Sequence, residues 1–195
     1  MILIGLTGPT GSGKSTASKV AEKMGFKVVD CDRLARVATE KESPALKALT
    51  EVFTKEILNS DGTLNRKMLA SKAFKDSEST ELLNKTVLPY IVELVIKEAK
   101  GFENVLLDAP TLFESGLQAK CDKTVAVLAD KDIRLSRIIS RDKISKEDAL
   151  LRINAGKTDD YYIKRADYIL YNNADTDDFI NGFSRMITEI KSKGE

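Results

Sequence analysis

The segment Gly8-Pro9-Thr10-Gly11-Ser12-Gly13-Lys14-Ser15-Thr16 directly follows an apolar run at residues 2–6 and opens a helix-like stretch. A spaced-glycine loop of this kind joins a strand to a helix, so it commits the chain to an α/β arrangement. Gly8, Gly11 and Gly13 let consecutive backbone N–H groups turn inward around a phosphate. Lys14 is placed to reach β- and γ-phosphates, and the Ser15 hydroxyl to hold Mg²⁺. The helix behind the loop aims its positive end at the same anion. Gly8, Gly11, Ser12, Gly13, Lys14, Ser15 and Thr16 are therefore the candidate nucleotide ligands. The bland alternative is a tight strand-to-helix turn that binds nothing.

Beyond the loop, short apolar runs alternate with helical patterns, which predicts a parallel sheet flanked by helices. The expected strands are residues 2–6, Lys27–Asp30, Asn104–Asp108, Lys123–Leu128 and Tyr168–Tyr171. Between residues 32 and 101 the pattern is entirely helical. Ser43 and Pro44 read as an N-cap with proline at the first helical position, and Leu46, Leu49, Phe53 and Ile57 recur on one face. Asp61-Gly62 marks a turn, Asn65 caps a short helix, and a last helix is expected over 89–100 with Gly101 as its stop. This block is too long for one crossover and reads as an insertion.

After Leu128, Asp130 opens a helix bearing Arg134, Arg137 and Arg141, and Ser145 with Asp148 forms a capping box for the next. That pair reads as a mobile hairpin. Residues 131–165 carry ten Lys and Arg against six Asp and Glu. Most of these bases read as a solvated face, with one or two arginines functional. Phe179, Phe183, Met186, Ile187 and Ile190, at helical spacing, cover the sheet. The polar end at 191–195 is expected to fray. The expected organisation is thus a P-loop core with a five-stranded parallel sheet (1–32, 101–130 and 166–195), a helical acceptor-binding insertion (33–100) and a helical lid (131–165).

Bulk properties narrow the partners. A net charge of +1 gives no general attraction to nucleic acid or to an anionic membrane, so an anion must be bound locally. No apolar run approaches the ~18 residues of a transmembrane helix, and Met1 leads straight into the first strand, which predicts a cytoplasmic protein. Cys31 and Cys121 lack metal-type spacing and read as two reduced thiols. The absence of histidine excludes His-based catalysis and ligation. Nothing in the sequence sets an oligomeric state.

A phosphate loop alone does not say where the γ-phosphoryl group goes, so the neighbouring acids decide. Asp30-Cys31-Asp32 lies at the end of the second strand, the carboxyl edge where such sheets place their ligands. Asp32 there is a candidate general base for an attacking hydroxyl. The other reading makes it the cap of a helix starting at Arg33, and the two roles are compatible. Asp108 ends the run Val105-Leu106-Leu107 in the place of a Walker-B acid that holds Mg²⁺; otherwise it marks a strand-end turn before Pro110. The signals of a regulatory GTPase are missing: Asp108 is followed at the Gly offset by Thr111, and no Asn-Lys-x-Asp occurs. A small-molecule kinase, with an insertion to hold the acceptor and an arginine hairpin to exclude water, accounts for the rest.

The chain resembles the dephospho-CoA kinase family. The resemblance is carried in order by the loop at 8–16, Asp30-Cys31-Asp32, Asp61-Gly62-Thr63-Leu64-Asn65-Arg66, Asp108-Ala109-Pro110-Thr111-Leu112-Phe113-Glu114 with Gly116-Leu117, Arg141-Asp142, and Ala166-Asp167 leading to Asn172. It implies ATP-dependent phosphorylation of the ribose 3′-hydroxyl of dephospho-CoA, with ATP and Mg²⁺ as cofactors. It further implies catalytic roles for Asp32, Lys14 and Arg141, with Arg141 on the phosphate and the transition state, and acceptor contacts from Asp32, Arg66, Phe113 and Glu114. Metal contacts fall to Ser15 and Asp108. The bare residues offer plainer roles: Phe113 as a core aromatic, Glu114 as a solvated acid, Arg66 as the partner of an acid on its own helix. The chain departs from the family pattern at Leu88, where His is usual, at Thr54, where Gly is usual, at Thr111 for Leu, and at Gly156 for Gln. Those departures keep open a kinase for another nucleoside-like alcohol. A module that only binds or hydrolyses nucleotide is the remaining alternative, favoured if Asp32 is a cap.

Overall fold

The computed structural model describes residues 2–193. Its elements are β1 (Ile2–Thr7), α1 (Lys14–Lys23), β2 (Lys27–Asp30), α2 (Cys31–Ala38), α3 (Pro44–Phe53), α4 (Arg66–Ala73), α5 (Ser77–Ala99), β3 (Asn104–Asp108), β4 (Lys123–Leu128), α6 (Lys131–Asp142), α7 (Lys146–Asn154), α8 (Asp159–Ile163), β5 (Tyr168–Tyr171) and α9 (Thr176–Lys193). The five strands form one parallel sheet in the order β2-β3-β1-β4-β5. Four strands keep the expected bounds and β1 runs one residue further, to Thr7.

The chain divides into two compact units. One holds residues up to Val29, 101–113 and 118 onward; the other holds 30–100 and 114–117. In the first, the sheet is covered on both faces, which is why its strands are apolar almost throughout rather than alternating. Ile4, Leu6, Leu106, Val125 and Val127 meet Ala17, Val20 and Ala21 of α1 and Phe179, Phe183, Ile187 and Ile190 of α9. On the other face Ala126 and Leu128 pack with Tyr162, with Phe113 and Tyr161 beside them. Two aspartates tie strand starts together: Asp122 accepts from Leu3 N at 2.7 Å, and Asp167 accepts from both N and Oγ1 of Thr124 at 2.7 Å. The Ala166-Asp167 pair of the family pattern therefore aligns β4 with β5.

Helix α6 closes onto α7 through Ile138, Ala149 and Ile153, after a left-handed turn at Lys143 (φ 54°). Ser145 caps α7 as expected, accepting from Asp148 N at 3.0 Å. Helix α9 is continuous to Lys193, so the expected fraying does not begin at residue 191; residues 194 and 195 lie outside the described residues.

The second unit is helical apart from an isolated antiparallel bridge between Leu58 and Leu64. Ser43 and Asn65 cap α3 and α4 as their sequence predicts, and Leu46, Leu49, Phe53 and Ile57 are buried. The expected helix at 89–100 is instead the last half of a 23-residue helix, α5. Asp76 caps it, and Pro89 lies inside it. Proline removes one N–H from the ladder and strands the carbonyl four residues back. Here that carbonyl belongs to Lys85, and both Lys85 and Pro89 are exposed, so the break falls on the solvent side of the helix.

Candidate phosphate-transfer site

The loop leaves the carboxyl end of β1, the central strand, whose own connection runs to one side, to β2, while the connection from β3 crosses to β4 on the other. Such a switch point opens a crevice at the strand ends, and a ligand loop belongs there. The loop is built against the sheet it leaves. Gly8 has φ 141°, and a Cβ on it would fall 2.1 Å from the Val127 carbonyl oxygen of β4. No side chain fits that space. Gly13, with φ 109°, is the N-cap of α1, and a Cβ there would fall 2.1 Å from Nδ2 of Asn172. Lys14 Nζ donates to the Gly8 carbonyl at 2.7 Å, which folds its side chain back across the loop. Ser12 is fully buried, and its hydroxyl has no hydrogen-bond partner.

Asp108 reaches this loop through strand register. It pairs with Leu6 across the β1–β3 ladder, which sets its carboxylate two residues short of Gly8 in level. Ser18, one turn into α1 and nearly buried, donates to Asp108 Oδ2 at 2.7 Å. That serine went unnoticed in the sequence, where position i+4 from a loop lysine reads as ordinary helix. Asp108 is thus more than a turn residue.

Three arginines of α6 divide their work. Arg137 donates to the carbonyls of Gly11 (3.5 Å) and Ser12 (3.4 Å) and to Asn172 Oδ1 (3.2 Å). Arg134 is buried, its guanidinium 3.8 Å from Asp159, with Nε unpartnered. Arg141, the arginine expected on the phosphate, is exposed and forks onto Asp142 at 2.7 and 2.9 Å. Arg152 binds the same carboxylate at 2.6 Å. The hydrogen bonds from Arg141, with both positive charges, hold the Asp142 carboxyl below its ordinary value.

The remaining candidates lie at separate places. Phe113, in the first unit, is partly buried and stands edge-on to Tyr161 at 6.2 Å. In the second unit Asp30, not Asp32, caps α2, accepting from Arg33 N at 2.9 Å. This corrects the alternative that made Asp32 the cap of a helix starting at Arg33. The helix starts two residues earlier, at Cys31, because Asp30 leaves β2 in extended geometry with its carboxylate turned onto the Arg33 amide. Asp32 sits in the first turn, in unit two. Arg66 donates to Thr39 Oγ1 at 3.1 Å rather than to an acid on its own helix. Glu114 is only partly exposed, and its Oε2 is buried with no hydrogen-bond partner; a solvated acid would not be. Gly116 lies beside it, with Leu88 Cδ2 3.5 Å from where a Cβ would stand. Thr54, the departure from Gly, has φ 66° and ψ 166°.

Cys121 is half-buried, and its thiol is pushed up to about 12 by desolvation, with Asp122 and Asp167 adding to the effect. That shift keeps the thiol in its protonated, less reactive form near neutral pH. Among the described residues no three His, Cys, Asp or Glu side chains gather as a metal cage, and no helix is long and apolar enough to cross a membrane.

A parallel five-stranded sheet, a phosphate loop at its switch point, an acid on the neighbouring strand end and an arginine-bearing helical hairpin together define a P-loop kinase. The family described as dephospho-CoA kinase matches residues 2–178, and the chain belongs to that family. A curated dephospho-CoA kinase of Fusobacterium nucleatum is 36% identical over 192 residues, covering 97% of this chain and 99% of the relative. A solved structure from Thermus thermophilus superposes with a TM-score of 0.76 at 30% identity, covering 96% and 97% of the two chains. The dephospho-CoA kinase structure from Campylobacter jejuni superposes with a TM-score of 0.61 at 26% identity, covering 99% and 98%.

Proposed function

We propose that this protein transfers the γ-phosphoryl group of ATP to the ribose 3′-hydroxyl of dephospho-CoA, giving coenzyme A. The observation that carries the reading is the register of Asp108 opposite Leu6, at the end of the strand beside the one that enters the phosphate loop, in a chain matched by its family over 2–178. The loop amides and Lys14 bind the phosphates, Lys14 exchanging the Gly8 carbonyl for the β- and γ-oxygens. The Ser15 hydroxyl and the Asp108 carboxylate are hard oxygen donors of the kind Mg²⁺ accepts, and a magnesium that bridges phosphates needs only one or two of them. The metal would supply neutralisation of charge on the phosphates. Ser18 orients Asp108 for that contact.

Asp32 takes the proton of the attacking hydroxyl. With the cap bond made by Asp30, removal of the Asp32 charge leaves α2 its N-terminal tie. Arg141 leaves Asp142 to meet the charge that spreads over the transferring group. Arg66, Phe113 and Glu114 contact the acceptor. The buried Oε2 of Glu114 supports this, because an unmatched carboxylate oxygen gains a partner when a donor group of the ligand arrives. The α6–α7 hairpin excludes water during transfer.

Incubation with ATP, Mg²⁺ and dephospho-CoA, followed by mass analysis, tests the reading: dephospho-CoA gains one phosphoryl group. ADP released with no phosphorylated acceptor would refute it. A panel of other nucleoside-like alcohols in the same assay, with a better substrate among them, would move the acceptor while keeping the chemistry.

A further inference from the structure

The Ser12–Gly13 peptide is gripped from behind. Its carbonyl accepts from Asn172 Nδ2 at 2.8 Å and from Arg137 at 3.4 Å. In a trans peptide the carbonyl and the following N–H point in opposite directions. Fixing the Ser12 carbonyl toward Asn172 therefore fixes the Gly13 N–H away from it, on the phosphate side of the loop.

Asn172 is suited to this by its own anchoring. It is buried, follows β5 directly, and donates its backbone N–H to the Leu128 carbonyl at 2.8 Å, so it moves with the sheet. Its amide could face either way, and Arg137 decides. A guanidinium has no acceptor, so the 3.2 Å contact with Arg137 requires Oδ1 on that side and leaves Nδ2 for Ser12. The space that Nδ2 occupies is the space a Gly13 side chain would need. The glycine and the asparagine thus answer each other across 159 residues of chain.

We propose that Asn172 is a positioning residue for nucleotide binding. It holds the Ser12–Gly13 peptide with its N–H presented to the phosphates. The positive charge of Arg137 on the carbonyl end polarises the same peptide and strengthens that N–H as a donor. The inference rests on the phosphate-loop reading, and it concerns affinity for nucleotide, not recognition of the acceptor.

The test measures Mg·ADP binding by calorimetry and steady-state kinetics with ATP and dephospho-CoA for Asn172→Asp and Asn172→Ala. Asn172→Asp keeps the Arg137 contact but sets an acceptor against the Ser12 carbonyl; Asn172→Ala removes the donor. Loss of one such hydrogen bond weakens binding by about tenfold. The expected result is that ADP affinity falls and KM for ATP rises by about that factor in both, with KM for dephospho-CoA within about twofold of the parent. Unchanged ADP affinity in either folded variant overturns the proposal, and so does an equal rise in both KM values. If neither variant folds, the parent protein decides by amide NMR: the Gly13 N–H resonance shifts strongly downfield on addition of Mg·ADP, and an unmoved resonance overturns the proposal. Failure of the parent to bind ADP at all would instead overturn the loop reading.

Discussion

Replacing Thr54 with glycine is expected to stabilise the protein, although it deletes a side chain. Thr54 follows α3 with φ 66° and ψ 166°, a region that is almost exclusive to glycine, because a Cβ there crowds the adjoining carbonyls. A β-branched residue feels this most. Holding a non-glycine residue there costs about 1–3 kcal/mol. Glycine removes that strain but adds freedom to the unfolded chain, worth about 0.5–1 kcal/mol. Thr54 is exposed and no hydrogen bond of its hydroxyl is seen, so little packing is lost. The balance is a gain of about 0.5–2 kcal/mol, which in a chain of this size raises Tm by roughly 2–6 °C. Urea unfolding followed by circular dichroism reads it as a higher midpoint at unchanged slope. A midpoint at or below that of the parent would show that the backbone is not strained at residue 54.

Three further outcomes follow from the site. Asp30→Ala removes the α2 cap and lowers stability by about 1 kcal/mol with turnover largely kept, whereas Asp32→Asn lowers kcat by about 10²-fold or more with Tm nearly unchanged; kinetics and thermal melts on both variants check this, and interchanged effects would assign the base to Asp30. Lys14→Ala is expected to weaken both ADP binding and turnover, and parental values for both would remove Lys14 from the phosphate site. In the native protein at pH 8, Ellman's reagent is expected to react slowly with Cys121, because burial keeps its thiol protonated up to about 12, and rapidly after denaturation. Since the unfolded thiol ionises near its ordinary value of 9.0, this cysteine also favours unfolding progressively as pH rises from there toward 12, visible as a falling Tm.

The sheet was legible because each strand is a short apolar run with a helical pattern on either side, and a parallel sheet covered on both faces demands such runs. Caps at Ser43, Asn65 and Ser145 were legible for a similar reason: one side chain and one amide three residues on suffice. Helix α5 was misread because a proline normally ends the pattern, and only its exposure beside Lys85 makes it tolerable. The choice between Asp30 and Asp32 turned on where α2 starts, at Cys31 rather than two residues later at Arg33. The contacts of Asn172, Arg137 and Ser18 link segments that lie far apart in the chain or carry no spacing signal, and only the fold brings them together.

Asp142 accepts from two arginines at once, one on its own helix and one on α7. An arginine that departs this carboxylate for a phosphate leaves it still neutralised by the other. On the role proposed for Arg141, the hairpin exchanges one anion for another without stranding a charge. The Arg141–Asp142 pair is exposed and backed by Arg152, so it is an ion pair that breaks at little cost.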